Sequence, residues 1–150
     1  MALNAYLKLT GQKQGKIKGT ATKGKGKDSE SIEIIEFNFG LETPFDEHSG
    51  LPTGKRQHKP IVIVREVDEA SPLLYQALCT NESFTSAVLN FARPSGSGKP
   101  STFHTIELTN ATINEITHAE HKGGKRRERV TLNYDTILVN GLSNVVVHSV

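Results

Sequence analysis

The chain has 150 residues, 35% of them hydrophobic, with 18 basic and 16 acidic side chains and a formal net charge of +2. That length suits a single domain over residues 1–150, and the near balance of charge gives no electrostatic case for a nucleic-acid or membrane-surface partner. One cysteine, Cys79, excludes an intrachain disulfide, and no apolar run approaches the ~18 residues of a membrane-spanning helix.

Met1-Ala2-Leu3-Asn4-Ala5-Tyr6 lacks a basic segment followed by an apolar stretch, so no cleavable secretory signal is expected. Leu3, Ala5, Leu7 and Leu9 alternate with polar or amphipathic residues, the period of a strand with one buried face. Residues 11–27 carry glycines at 11, 15, 19, 24 and 26 and lysines at 13, 16, 18, 23, 25 and 27, and read as a solvated loop. The phosphate-loop spacing is absent there, and no aromatics stand between the lysines to stack on bases. Residues 31–39 form a strand in which Ile32 and Ile34 keep one parity while Ile35, Phe37 and Phe39 keep the other, predicting a bulge or sharp twist.

Residues 45–60 are polar and rich in turn formers, without a secondary-structure signal, and read as a long extended loop. Ile61-Val62-Ile63-Val64 is apolar on both parities, as a strand covered on both faces would be. Ser71 then reads as the N-cap of a short helix with Pro72 at its first position, and Leu74, Ala77 and Leu78 fall on one face. A helix this short must be held by its apolar face, so it is expected to lie on a β core. Leu78→Asp is accordingly expected to prevent folding, and Cys79 reads as a small apolar residue at the helix end.

Ala87, Leu89 and Phe91 alternate towards Arg93-Pro94, and the Gly/Ser-rich residues 95–100 read as a hairpin loop. Residues 102–117 read as one long strand whose phase slips midway, and residues 118–129 as a polar connection containing Lys122, Lys125, Arg126, Arg127 and Arg129. Val130, Leu132, Tyr134, Ile137 and Val139 form a final strand, with a short addition at Val145 to Val147. Several strands, regular turn signals and one helix predict a mainly β chain: a compact β-barrel or sandwich, one short α-helix packed on it, and the long loop.

The residues of 51–60, Leu-Pro-Thr-Gly-Lys-Arg-Gln-His-Lys-Pro, and Asp68-Glu69-Ala70-Ser71-Pro72 leading into the helix, in this order and spacing, resemble the Hcp family. These are the tube proteins of bacterial type VI secretion, which are similar to phage tail-tube proteins. The resemblance runs from Leu3 to about Val139. It implies a structural subunit, not an enzyme, that forms homo-hexameric rings stacked into a hollow tube. Sheath, spike and baseplate proteins would be its partners, with effector proteins in the lumen. It also implies assembly in the bacterial cytoplasm and export by the type VI apparatus. No cofactor, metal, nucleic acid or membrane insertion belongs to this expectation.

Read from the residues alone, catalysis finds little support. His118 and His121 sit beside a cation cluster that opposes a metal ion, and no HExxH or paired CxxC accompanies them. His48, His58, His104 and His148 have no evident Ser or Asp partner in sequence. A second reading, a small β domain that binds nucleic acid or another anion through residues 13–27 and 122–129, rests on clustered cations. The interspersed Glu120 and Glu128 and the absence of an aromatic platform weigh against it. For a ring subunit the expected interface is the loop: Phe45, Asp46, Glu47, Leu51, Lys55, Arg56, Gln57, His58 and Lys59. Opposite charges along it could fix the register between neighbours, with Arg56 the strongest candidate because a guanidinium grips a carboxylate bidentately.

Overall fold

The computed structural model describes residues 5–19, 31–54, 57–94, 100–120, 126–140 and 145–149, with side chains left undescribed at 93–94, 100–103, 119–120 and 145–149. The strands are β1 Ala5–Gly11, β2 Gly15–Ile17, β3 Ile32–Ile34, β4 Glu36–Asn38, β5 Leu41–Glu42, β6 Gln57–His58 and β7 Ile61–Glu66. After the helix α1, Ser71–Thr80, come β8 Ser83–Pro94, β9 Pro100–Thr109, β10 Ala111–Glu120, β11 Arg126–Asn133, β12 Thr136–Asn140 and β13 Val145–Ser149. The main sheet runs β13-β12-β9-β8-β10-β11-β7-β4, with β1 on β8 and with β2 and β3 on β1. All the pairings are antiparallel.

The phase changes in the sequence mark places where a strand changes partner, breaks or bulges. At Ile35 the chain leaves β1, which β3 pairs, and joins β7, which β4 pairs. The step between β3 and β4 is carried by the chain itself rather than by a ladder. The sheet therefore curls over its own core as a sandwich and is not a closed barrel. The stretch expected to be one strand over 102–117 is two, because Asn110 takes a left-handed conformation (φ 51°) between β9 and β10. Asn is among the few non-glycine residues that accept that region readily. A second slip, between Ile113 and Glu115, is a bulge against β11.

Other expectations are corrected by pairing that sequence alone does not reveal. The glycine-lysine segment starts as a hairpin, with Gly15 at φ 74° and Ile17 buried on β1; residues 20–30 lie outside the described residues. The polar connection over 118–129 is largely strand, since β10 runs to Glu120 and β11 begins at Arg126. Tyr134 and Asp135 divide the last predicted strand into β11 and β12. A short strand does form at β13.

The core gathers inward residues from both layers: Leu7 and Leu9 of β1, Ile32 and Ile34 of β3, Ile61 and Ile63 of β7, Phe84 and Leu89 of β8, and Leu132 of β11. The helix covers part of this core and packs beside β10. Leu74 and Ala77 are buried as expected, whereas Leu78 is only half-buried and packs at the edge of the core. Cys79 is exposed. Ser71 is not the N-cap: Ala70 occupies that position, makes no side-chain cap, and Ser71 is the first helical residue. The helix closes at Asn81, left-handed at φ 54°, whose N–H reaches back to Leu78 O.

Gly19 illustrates how tightly the sandwich closes. A Cβ there would lie 2.6 Å from Ser31 O and 2.8 Å from Ile32 Cα, both backbone atoms that cannot rotate away. Gly19→Ala is expected to cost roughly 1–3 kcal/mol, the usual range for overpacking. Urea unfolding that leaves the midpoint unchanged would show that the two segments separate without penalty.

Candidate assembly surface

The segment expected to be an unstructured loop is a hairpin arm. It continues the β4–β7 ribbon: Asn38 pairs Val62, Lys59 N–H donates to Gly40 O at 3.0 Å, and Leu41 and Glu42 pair His58 and Gln57. Farther out, Thr53 N–H donates to Pro44 O, Phe45 bridges to Pro52, and Asp46 N–H donates to Leu51 O. Short ladders separated by prolines explain why no alternation is visible in sequence. At the tip, Gly50 takes φ 71°, and Asp46 accepts hydrogen bonds from His48 N–H at 3.1 Å and the Ser49 hydroxyl at 3.0 Å. Those bonds, His48 first, hold the Asp46 carboxyl below its ordinary range, so the tip keeps its negative charge.

Phe45 and Leu51 are each 64% exposed at this tip, more than any other large apolar side chain among the described residues. Glu47 is exposed beside them. At the root, His58 stacks edge-on against Tyr134, ring centroids 5.6 Å apart, and its Nδ1 lies 3.1 Å from the Tyr134 hydroxyl. That hydroxyl donates to Lys59 O at 3.4 Å, and burial raises its pKa, which keeps it a donor. His58 is thus a joint between arm and body. Lys59 Nζ stands 3.9 Å from Glu42 within the same arm, both exposed, and Gln57 is exposed on β6. Lys55 and Arg56 lie outside the described residues.

A buried polar cluster anchors the strand that the arm leaves. Arg65 of β7 is 1% exposed and faces Glu128 of β11, 0% exposed, across the ladder. Its guanidinium bonds Glu128 through Nη1 and Asp68 through Nη2. The Ser71 hydroxyl bridges them, accepting from Arg65 Nη1 at 3.2 Å and donating to Glu128 Oε1 at 3.1 Å. Asp68 also accepts from Ala70 N–H at 2.8 Å, so one carboxylate sets both the guanidinium and the approach to the helix. This explains Asp68 and Ser71 in the sequence pattern singled out above. Arg65 was not singled out there and Glu128 only as an anion among the cations, although alternation could have found both as inward groups: Arg65 keeps the inward parity of Ile61 and Ile63, and Glu128 that of Val130 and Leu132.

The remaining candidates do not converge. Along β11 Arg126 has one parity and Arg127 and Arg129 the other, Arg127 lies opposite Glu66, and Lys122 and Lys125 lie outside the described residues. His118 is exposed on β10, and His121 lies outside the described residues. Among the described residues no three His, Cys, Asp or Glu side chains come together to hold a metal ion, and no helix is long and apolar enough to cross a membrane.

The architecture defines a class: a small antiparallel β-sandwich with one helix and a projecting hairpin whose tip is apolar. Residues 6–140 match the family model described as the type VI secretion system effector Hcp. The chain is 36% identical over 129 residues to the major exported protein of Pseudomonas aeruginosa, covering 81% of this chain and 74% of that one. Among solved structures, it resembles the Hcp1 protein of the E. coli EAEC 042 pathovar with a TM-score of 0.86 and 27% identity, over 99% of this chain and 98% of that one. The secreted protein Hcp3 of Pseudomonas aeruginosa is similar at a TM-score of 0.81 and 27% identity, over 99% and 98%. The chain belongs to the Hcp family, the tube proteins of type VI secretion.

Proposed function

We propose that this chain is a ring-forming structural subunit of the type VI inner tube. Six copies close into a ring and rings stack into a hollow tube, which sheath contraction ejects. Effector proteins travel in the lumen, and sheath, spike and baseplate proteins are the outer partners. The subunit assembles in the cytoplasm and leaves with the tube; the name of the P. aeruginosa relative supports the export, being that of a major exported protein. The reading assigns it no reaction, cofactor or metal, and no nucleic acid.

The observation that carries this reading is the arm tip: Phe45 and Leu51 are held out in solvent at 64% exposure by a hydrogen-bonded hairpin. Two large apolar groups on a built projection favour a protein partner over solvent. The arm residues Phe45, Asp46, Glu47, Leu51, Lys55, Arg56, Gln57, His58 and Lys59 are the proposed contact surface, with His58 holding the root. Replacing both Phe45 and Leu51 by Asp is expected to leave a folded subunit with the parent's far-ultraviolet circular dichroism, because the arm adds little to the core, while the thermal midpoint falls only by what the ring contributes. Sedimentation should then report loss of the ring, as negative-stain images should. Rings as abundant as in the parent protein would sink the reading.

A further inference from the structure

Val62 and Val64 alternate with the buried Ile61 and Ile63, so they face away from the core, and both are only half-buried. With Glu36, Phe37, Asn38 and Arg129 they line an open depression of about 290 Å³. Its floor is aliphatic, and its rim carries one cation and one anion. A strand apolar on both parities calls for a layer on each side. Within the single chain, among the described residues, only the inner side is fully covered.

The same ribbon carries the missing layer's counterpart. The depression lies around Phe37 and Ile63, which pair between β4 and β7, and the ribbon runs on from there into the arm. Phe45 is eight positions beyond Phe37, so at about 3.3 Å per residue the tip stands roughly 25 Å away. An arm that extends those two strands cannot also lie across them, so tip and depression do not meet within one chain. The charges are complementary between copies on one side of the rim: Asp46 and Glu47 flank the apolar tip, Arg129 stands exposed on the rim to meet them, and the exposed Glu36 disfavours a tip that approaches from its own side.

We propose that the depression lined by Val62, Val64, Asn38 and Arg129 is the receptor for the arm tip of a second copy of this chain. Phe45 and Leu51 cover the two valines, and Glu47 faces Arg129. The inference rests on the arm reading above and adds the surface that receives it. Donor and receptor are different patches, so the contact is heterologous, the kind that closes into a ring or propagates along an axis. Each copy can give and receive at once.

The test uses the full chain and measures association by sedimentation, with circular dichroism as the folding control. Phe45→Asp, Val62→Asp and Arg129→Glu should each weaken association by roughly tenfold or more, as truncations at a contact centre do. Arg129 is exposed, so its variant is expected to fold even if Val62→Asp does not. Glu47→Arg should weaken association too, and combined with Arg129→Glu it should restore most of it. If Phe45→Asp abolishes association while Arg129→Glu changes nothing, the arm acts elsewhere and the receptor is overturned. If both single charge variants weaken association without mutual rescue, the facing of Glu47 and Arg129 is overturned. If Phe45→Asp itself has no effect, the arm reading falls with the receptor.

Discussion

Glu128→Ala is expected to lose up to about 3–5 kcal/mol, because it takes one of two carboxylates from the buried Arg65 guanidinium, leaving Nη1 without its ion pair while Nη2 keeps Asp68. A domain of this size has only about 5–15 kcal/mol to lose. Arg65 is 1% exposed and depends on Glu128, Asp68 and Ser71, so removing Glu128 also frees the Ser71 hydroxyl and loosens the approach to the helix. The pair as such need not stabilise, since desolvating two charges costs about as much as their attraction returns. The variant Arg65→Met with Glu128→Leu should therefore regain much of the loss, short of what the unpaired Asp68 costs. Urea unfolding of the single and double variants decides this. A Glu128→Ala midpoint indistinguishable from the parent would mean the cluster is not dry.

Leu74→Asp should abolish folding, whereas Leu78→Asp should leave a folded chain weakened by about 1–3 kcal/mol. Leu74 is 1% exposed within the core, so the substitution removes a full side chain's burial and adds an unpaired charge. Leu78 sits at the margin of the same face, where a carboxylate can turn towards water. Soluble expression and thermal unfolding of the two variants distinguish them. Equal damage from both would place the helix one register away from that described.

Much of the fold was legible because backbone pleating imposes a period of two wherever one face is dry. Leu7 and Leu9, and Leu89 and Phe91, announced their strands and their inward faces together, whereas the run Ile61 to Val64, apolar on both parities, announced only its strand. The helix was legible from Pro72 and the spacing of Leu74 and Ala77. Its cap was not, because Ser71 turned its hydroxyl to a strand partner 57 residues away rather than to its own first turn. The phase slips were visible, but whether a slip is a bulge or a change of partner depends on which strand lies alongside. Ile35 proved to be a change of partner, whereas Asn110 is a left-handed break between two strands that both pair β8.

The arm was legible as a distinct segment, but not as a hairpin. Its ladder is broken by prolines and turns, and two-residue pairings leave no period to read. Composition and alternation by themselves determined a mainly β chain with one packed helix, while the type VI tube family was suggested by the resemblance carried by residues 51–60 and 68–72. Tertiary structure alone decided that Arg65 and Glu128 meet inside, that Leu78 lies at an edge, and that Phe45 and Leu51 stand in solvent. The reason is physical: a period reports which way a side chain points, whereas its neighbour is chosen by strand pairing between residues far apart in the chain.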